Sequence, residues 1–401
     1  MKIKELSFKN KANPWELEKT EFSDLTLLVG ASGVGKTRIL NSIMELVKIS
    51  NGSVYNGVEW DFSFTGNNDE NYQWIGEFES RKEMRRHEFA EKDLNGSGTS
   101  KQIPRLLMEK LYVEDRLVFE REESTVKYEK KETPKISPYK SVLNIFTTES
   151  GILTVKEELY KIISLDYRHE QRTEITKNFW NEAQIFMGMV ELSEIDQSSW
   201  YNDQLLFKNK SKEDKLALRY IMERTDGLIA KLFLISEFFK DIFNEIAEDF
   251  KDVFPQVREI RFELLKEKEI YELQVKERGT GWIAMSDISE GMFKTLLHLT
   301  AIKLMSSGFV ILIDEFENSL GVNCIDVVAD GLVSPYRNSQ YIITSHHPYV
   351  INNIDMKYWK IVVRKGTTVS TRTYEQLKLG KSKHEAFKQL LNTDEFAEGI
   401  T

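Results

Sequence analysis

Cysteine is almost absent from this 401-residue chain, where Cys324 stands alone. A single thiol excludes an intrachain disulfide and any cysteine-rich zinc or iron–sulfur site. Proline is scarce, at seven residues, and no serine/glycine linker interrupts the chain. That pairing predicts regular structure nearly throughout rather than domains strung on flexible tethers. No apolar run approaches the length that spans a bilayer. The longest, such as 309–313, read as buried strands. The first ten residues are charged and alternating, without a signal-peptide block, so the expectation is a soluble cytoplasmic protein. Positive charge is in deficit, with 55 Lys and Arg against 64 Asp and Glu, a net charge of −9. Such a balance argues against a dedicated nucleic-acid coat protein but leaves room for a local basic groove.

What the chain does contain is enough apolar sequence for two or three structural units. No internal repeat is present. Residues 1–49 read as strand, turn, strand (25–29), glycine-rich loop and then a helix from Lys36. Two aromatic-rich runs between Gly57 and Glu79 flank the turn-prone residues 66–69, a β-hairpin signal. Residues 111–128 alternate like a second hairpin. From about 152 to 252 the period becomes helical. Leu228, Leu232, Ile235, Phe239, Ile242, Ile246 and Phe250 fall on one face of a predicted long helix. Such a stripe is core packing or a partner-binding arm, and a hairpin of the whole insert would reach at most about 70 Å. Strand character returns from Val257. The expected layout is an N-terminal lobe over 1–150, a helical insert over 151–252 and a C-terminal lobe over 253–401, the lobes forming one α/β nucleotide domain.

Gly30-Ala31-Ser32-Gly33-Val34-Gly35-Lys36-Thr37 fits G-x-x-x-x-G-K-[ST] between an apolar strand and a helical pattern. The glycines let backbone N–H groups wrap a phosphate at the positive end of the following helix. Lys36 supplies a charge to the β- and γ-phosphates, and Thr37 offers a hydroxyl to Mg²⁺. The pattern alone arises by chance in about one chain of this length in a hundred, and its strand–loop–helix context lowers that further. The candidate ligand set for ATP is Gly30, Ser32, Gly33, Val34, Gly35, Lys36, Thr37 and the adjoining Arg38. A second apolar strand ends in Asp314-Glu315, at the carboxyl edge where α/β sheets bind ligands. There Asp314 is placed as a holder of Mg²⁺ with Thr37, and Glu315 as the general base. Ser289-Glu290-Gly291 opens a further helical pattern; an ordinary cap and an anion site are both open readings.

The order of these motifs, followed by Thr344-Ser345-His346, resembles the ABC-type ATPases. It looks most like their non-transporter branch, the SMC, RecF and OLD-like proteins. The matching stretches are 1–49 and about 257–355. The resemblance implies an ATPase head of mainly parallel sheet and helices, with an antiparallel β subdomain, split here by a mostly helical insert. It places Ser289 and Gly291 in the signature motif, although Ile288 and Glu290 depart from the usual residues. Residues 317–320 match the D-loop and His346 the switch histidine, with His347 replacing a usual serine, so either imidazole stays open for that role. No Q-loop glutamine matches. Only 53 residues follow Pro348, and they carry no Asp-x-Asp pair of an OLD-type nuclease.

The resemblance implies ATP and Mg²⁺ as cofactors and an ATP-dependent head-to-head dimer or higher homo-oligomer. It further implies a regulatory subunit of a bacterial anti-phage defence system that controls a separately encoded nuclease or toxin. One alternative is a DNA-gripping repair or chromosome ATPase, with Arg81, Lys82, Arg85, Arg86, Lys208, Lys210 and Lys212 as contacts. Another is a nucleotide-locked scaffold with negligible turnover. A membrane transporter subunit is disfavoured, because 253 positions separate Lys36 from Ser289. Lys9, Asn10 and Lys11 read as either a phosphate contact or a solvated turn, and Trp15 as a candidate for stacking on adenine.

Overall fold

The computed structural model describes residues 1–80, 103–129, 131–133, 135–146, 149–190, 210–305, 307–318, 320–332, 338–380 and 383–393. The chain forms two compact units. The first comprises Met1–Ser164, Val310–Asp314 and Gln340–Thr401, and the second Leu165–Phe309 and Glu315–Ser339.

The first unit is built on a 14-stranded sheet. One end is the nucleotide-type α/β layer. Leu25–Val29 lies parallel to Asn338–Thr344 on one side and to Trp359–Lys365 on the other, and Ile162–Ser164 runs parallel to Ser307–Ile313. All five residues of Leu25–Val29 are buried, as a strand covered on both faces requires. The helix Lys36–Ser50 packs Ile39, Leu40, Ile43, Leu46, Val47 and Ile49 into the core. The other end is an antiparallel meander. Val58–Thr65 alternates perfectly, with Val58, Trp60, Phe62 and Phe64 inward, and pairs with Asn71–Phe78 as the predicted hairpin. Trp60 meets Trp74 edge-on at 5.1 Å between centroids. Opposite Trp60 only glycine fits, since a Cβ on Gly76 would lie 2.2 Å from the indole.

The second predicted hairpin is corrected to three strands, Leu106–Val113, Arg116–Glu122 and Thr125–Tyr128. Extra turns at 114–115 and 123–124 place Glu114, Asp115 and Glu123 at positive φ, which the alternation of residue types does not announce. Two buried polar residues, Glu109 and Arg121, opposite one another on paired strands, brace this meander. The Glu109 carboxylate accepts from Trp74 Nε1 at 2.9 Å, Ser141 Oγ at 2.5 Å and the Val142 amide at 2.7 Å. Burial pushes its carboxyl above the usual range. Arg121, also buried, donates to the carbonyls of Glu123, Ser137 and Lys140.

The second unit is mostly helical, with a small antiparallel sheet formed by Ile175–Thr176, Ile270–Glu277, Val257–Leu265 and Trp282–Ala284. The long helix expected over 228–250 is two helices, Leu228–Phe238 and Lys240–Val253. Phe239 breaks them apart, with φ −135° and ψ 65°. Every residue of the predicted stripe is buried, so its apolar face is core rather than an arm free for a partner. Leu228 and Ile229 amides both donate to the buried Glu170 carboxylate, at 2.7 and 3.0 Å, which caps that helix from another element.

Candidate functional site

In the first unit the glycine-rich loop follows Leu25–Val29 directly. Gly30, Gly33 and Gly35 have φ of 149°, 82° and 117°. At Gly30 a Cβ would stand 2.7 Å from the Val362 carbonyl oxygen, so the loop hugs the neighbouring strand in a way no other residue allows. Gly35 occupies the cap position of the helix and offers no side chain to its first-turn amides. Ser32 and Gly33 are exposed, whereas the Val34 side chain belongs to the core and leaves only its backbone for a ligand.

Lys36 Nζ donates to the Gly30 and Ala31 carbonyls, both at 2.8 Å, which keeps the ammonium over the loop. The Thr37 hydroxyl donates to Asp314 Oδ1 at 3.0 Å, and the Thr344 hydroxyl donates to the same oxygen at 2.7 Å. Residues separated by 277 positions are thus brought within hydrogen-bond distance. A hydroxyl and a carboxylate so placed, beside a phosphate-binding loop and a lysine, are the hard oxygen donors that suit Mg²⁺ on a nucleotide. The residues present fit the implied group.

His346 is exposed just beyond that strand. His347 is committed elsewhere, because its Nδ1 accepts the Tyr349 amide at 3.3 Å and caps the helix Pro348–Asn353. The structure also brings in a residue that the motifs did not single out. The Arg364 guanidinium, at the end of Trp359–Lys365, lies 3.5 Å from the Gly33 carbonyl and donates to the Gly366 carbonyl at 2.8 Å. One arginine after an apolar strand has no spacing to betray it.

Trp15 and Lys11 are both engaged by the protein itself. Trp15 is 5 % exposed, and its Nε1 sits 3.5 Å from where a Gly35 Cβ would be, so the ring is packed under the loop instead of free to stack. Arg38 lies over that ring at 6.0 Å. Lys11 is held by Glu59 and Glu77, which drive its ammonium pKa upward, and Asn10 accepts the Ala12 and Asn13 amides. The segment is a solvated turn.

In the second unit Ser289 caps the helix Glu290–Leu304 and accepts the Met292 amide at 3.2 Å. The Thr295 hydroxyl donates to the Gly291 carbonyl at 2.7 Å. Glu315 is exposed, with φ 47°. Its Oε2 accepts from Asn318 Nδ2 at 3.2 Å, and its carbonyl accepts the Asn318 amide at 2.8 Å. The chain passes from one unit to the other between Asp314 and Glu315. Ser319 of the D-loop stretch lies outside the described residues, as do Arg81, Lys82, Arg85, Arg86 and Lys208 among the DNA candidates. Lys210 is paired with Asp241 at 2.5 Å, while Lys212, exposed to solvent, opens the helix Lys212–Arg224.

Comparison with known proteins places the chain in a family. The family AAA_21, described as "AAA domain, putative AbiEii toxin, Type IV TA system", matches residues 25–352. The chromosome partition protein Smc of Methanocaldococcus jannaschii is 24% identical over 129 residues, covering 30% of this chain and 11% of that protein. The chain therefore spans about a tenth of the length of that curated relative. Among solved structures, an Smc head bound to the C-terminal winged-helix domain of ScpA aligns with a TM-score of 0.50 and 14% identity, over 94% of this chain and 100% of that one. An Smc head with extended coiled coil from Pyrococcus furiosus gives 0.46 and 14% identity, over 94% and 98%. At these identities the likeness is one of fold.

Proposed function

The chain belongs to the AAA_21 family and has the fold of an SMC-type ATPase head, and from that premise we propose that it hydrolyses ATP within an ATP-dependent dimer. The observation that carries this reading is the single Asp314 oxygen shared by the Thr37 and Thr344 hydroxyls beside the Lys36 loop. In the proposed roles, Lys36 and the amides of residues 30–37 hold the β- and γ-phosphates. Thr37 and Asp314 hold the Mg²⁺, which when bound would neutralise charge on the transferring phosphoryl group. Glu315, next in the chain, takes a proton from the attacking water. His346 steadies the γ-phosphate end, and Ser289 and Gly291 of the partner subunit supply hydroxyl and backbone donors there.

Because those donors would come from a second copy, nucleotide occupancy becomes a condition for dimerisation, and loss of the γ-phosphate loosens the dimer. Such a nucleotide-gated dimer suits a regulatory subunit of a bacterial anti-phage system that releases or restrains a separately encoded nuclease or toxin. The family description, with its type IV toxin–antitoxin context, supports that assignment.

Two substitutions test the enzymatic core. Lys36→Ala is expected to abolish binding of a fluorescent ATP analogue. Glu315→Gln is expected to keep that binding and lose at least about 100-fold in turnover. Parental turnover in Glu315→Gln would remove Glu315 from the role of base.

A further inference from the structure

Lys294 lies on the helix that starts behind Ser289 and is only 3 % exposed. Burying an ammonium is costly unless its donors are all engaged. Here they are turned in two directions. One faces backwards, to the Glu290 carboxylate at 2.8 Å, one helical turn earlier and between Ser289 and Gly291. The other faces the turn after Glu315, where Lys294 Nζ donates to the Asn318 carbonyl at 3.1 Å. The Tyr167 ring covers the ammonium at 4.8 Å.

Asn318 grips Glu315 through both its amide and its side chain. Glu315 adopts φ 47°, a conformation uncommon for a residue with a Cβ, so the direction of its carboxylate depends on what holds the turn. One helical turn beyond Lys294 a second anchor acts on the same segment. The Tyr167 hydroxyl is 2.6 Å from His298 Nε2, and the His298 ring meets Phe316 edge-on at 5.4 Å. Two successive turns of one helix thereby hold residues 316 and 318.

We propose that Lys294 is a positioning residue for Glu315, locking the turn 315–318 to the helix of Ser289 and Gly291 and sharing its charge between the two. An anion at the start of the helix then bears on Glu290, on Lys294 and through Asn318 on the carboxylate. The proposal rests on the reading of Glu315 as the general base.

Lys294→Met, Lys294→Arg, Asn318→Ala and the double variant Lys294→Met/Asn318→Ala are compared with the parental full chain. The readouts are amide hydrogen exchange over 315–320 without nucleotide, affinity for a non-hydrolysable ATP analogue with Mg²⁺, and steady-state turnover. Lys294→Met is expected to speed exchange in 315–320 and to lower kcat about tenfold or more, with analogue affinity and KM within about twofold. Lys294→Arg restores most of the rate. Asn318→Ala lowers kcat comparably, and the double variant loses no more than the worse single one, because both act along one link.

Parental exchange or parental kcat in Lys294→Met overturns the proposal. Should that variant fail to fold, Asn318→Ala decides: Asn318 is exposed, its side chain makes the bond that carries the link from the anchored turn to the Glu315 carboxylate, and parental turnover without it overturns the proposal. Glu315→Gln separates the two levels. If it turns over ATP normally, the base and this proposal fall together. If it is inactive while Lys294→Met is fully active, only the positioning role falls.

Discussion

At Gly30 the phosphate loop passes so near Trp359–Lys365 that one methyl group would meet the Val362 carbonyl at 2.7 Å. Gly30→Ala also forces a Cβ into φ 149°. The variant is expected to lose about 1–3 kcal/mol of stability together with ATP binding, read by thermal unfolding and analogue titration. His298 carries a different kind of residue-scale consequence. Burial, with the nearby Lys294 charge adding to it, lowers its imidazole from 6.5 to about 3. Between those values the unfolded chain binds a proton that the folded chain does not, so the unfolded state gains as pH falls. This contribution to stability is complete above about pH 6.5 and declines from there toward about 3. His298→Gln is expected to show a smaller drop in urea midpoint between pH 7 and pH 5 than the parental protein. The residues expected at the nucleotide needed no structure to be nominated, because a phosphate loop demands glycine, lysine and a hydroxyl at fixed, closely spaced positions. The places of Arg364 beside the loop and of Thr344 on Asp314 were not legible, since what recruits them is their position at strand ends rather than a spacing in sequence.

Among the elements, those whose residues are sorted by a local period were read correctly. The hairpin 58–78 has aromatic side chains on alternate positions, and the helix from Lys36 has its apolar residues on one face. The elements misread are those interrupted by a single backbone choice. Phe239 is apolar and sits on the helical stripe, yet its ψ of 65° ends one helix and begins another. In the meander, Glu114, Asp115 and Glu123 take positive φ without glycine or asparagine to announce the turns. Arg121 holds that meander to residues 137–140 through three carbonyls. Arg121→Met leaves these buried carbonyl acceptors without their donor and is expected to cost about 1–3 kcal/mol, measured by denaturant unfolding. A loss below about 0.5 kcal/mol would show the arginine to be structurally dispensable.

For the whole molecule the central prediction concerns assembly. With ATP and Mg²⁺, Glu315→Gln should run as a dimer in light scattering, and ADP should leave it monomeric. Ser289→Arg places a long cation where a partner's phosphate contact is proposed. It should abolish the dimer while the nucleotide affinity of the single subunit changes by less than about threefold. A Ser289→Arg protein that still dimerises with ATP would exclude the head-to-head arrangement.

The sequence by itself determined the nucleotide chemistry and the family, because phosphate and metal binding require particular side chains at short, fixed spacings. It also marked 25–29 and 309–313 as strands covered on both faces, since burial on two sides leaves few polar positions. Only the tertiary structure decided which distant residues meet. It joined Thr37, Asp314 and Thr344 at one oxygen, buried Trp15, paired Lys11 with Glu77, and set Lys294 between Glu290 and Asn318. The physical reason is common to all three. Contacts across 24 to 277 positions are settled by how sheets and helices pack, and packing depends on the entire chain at once.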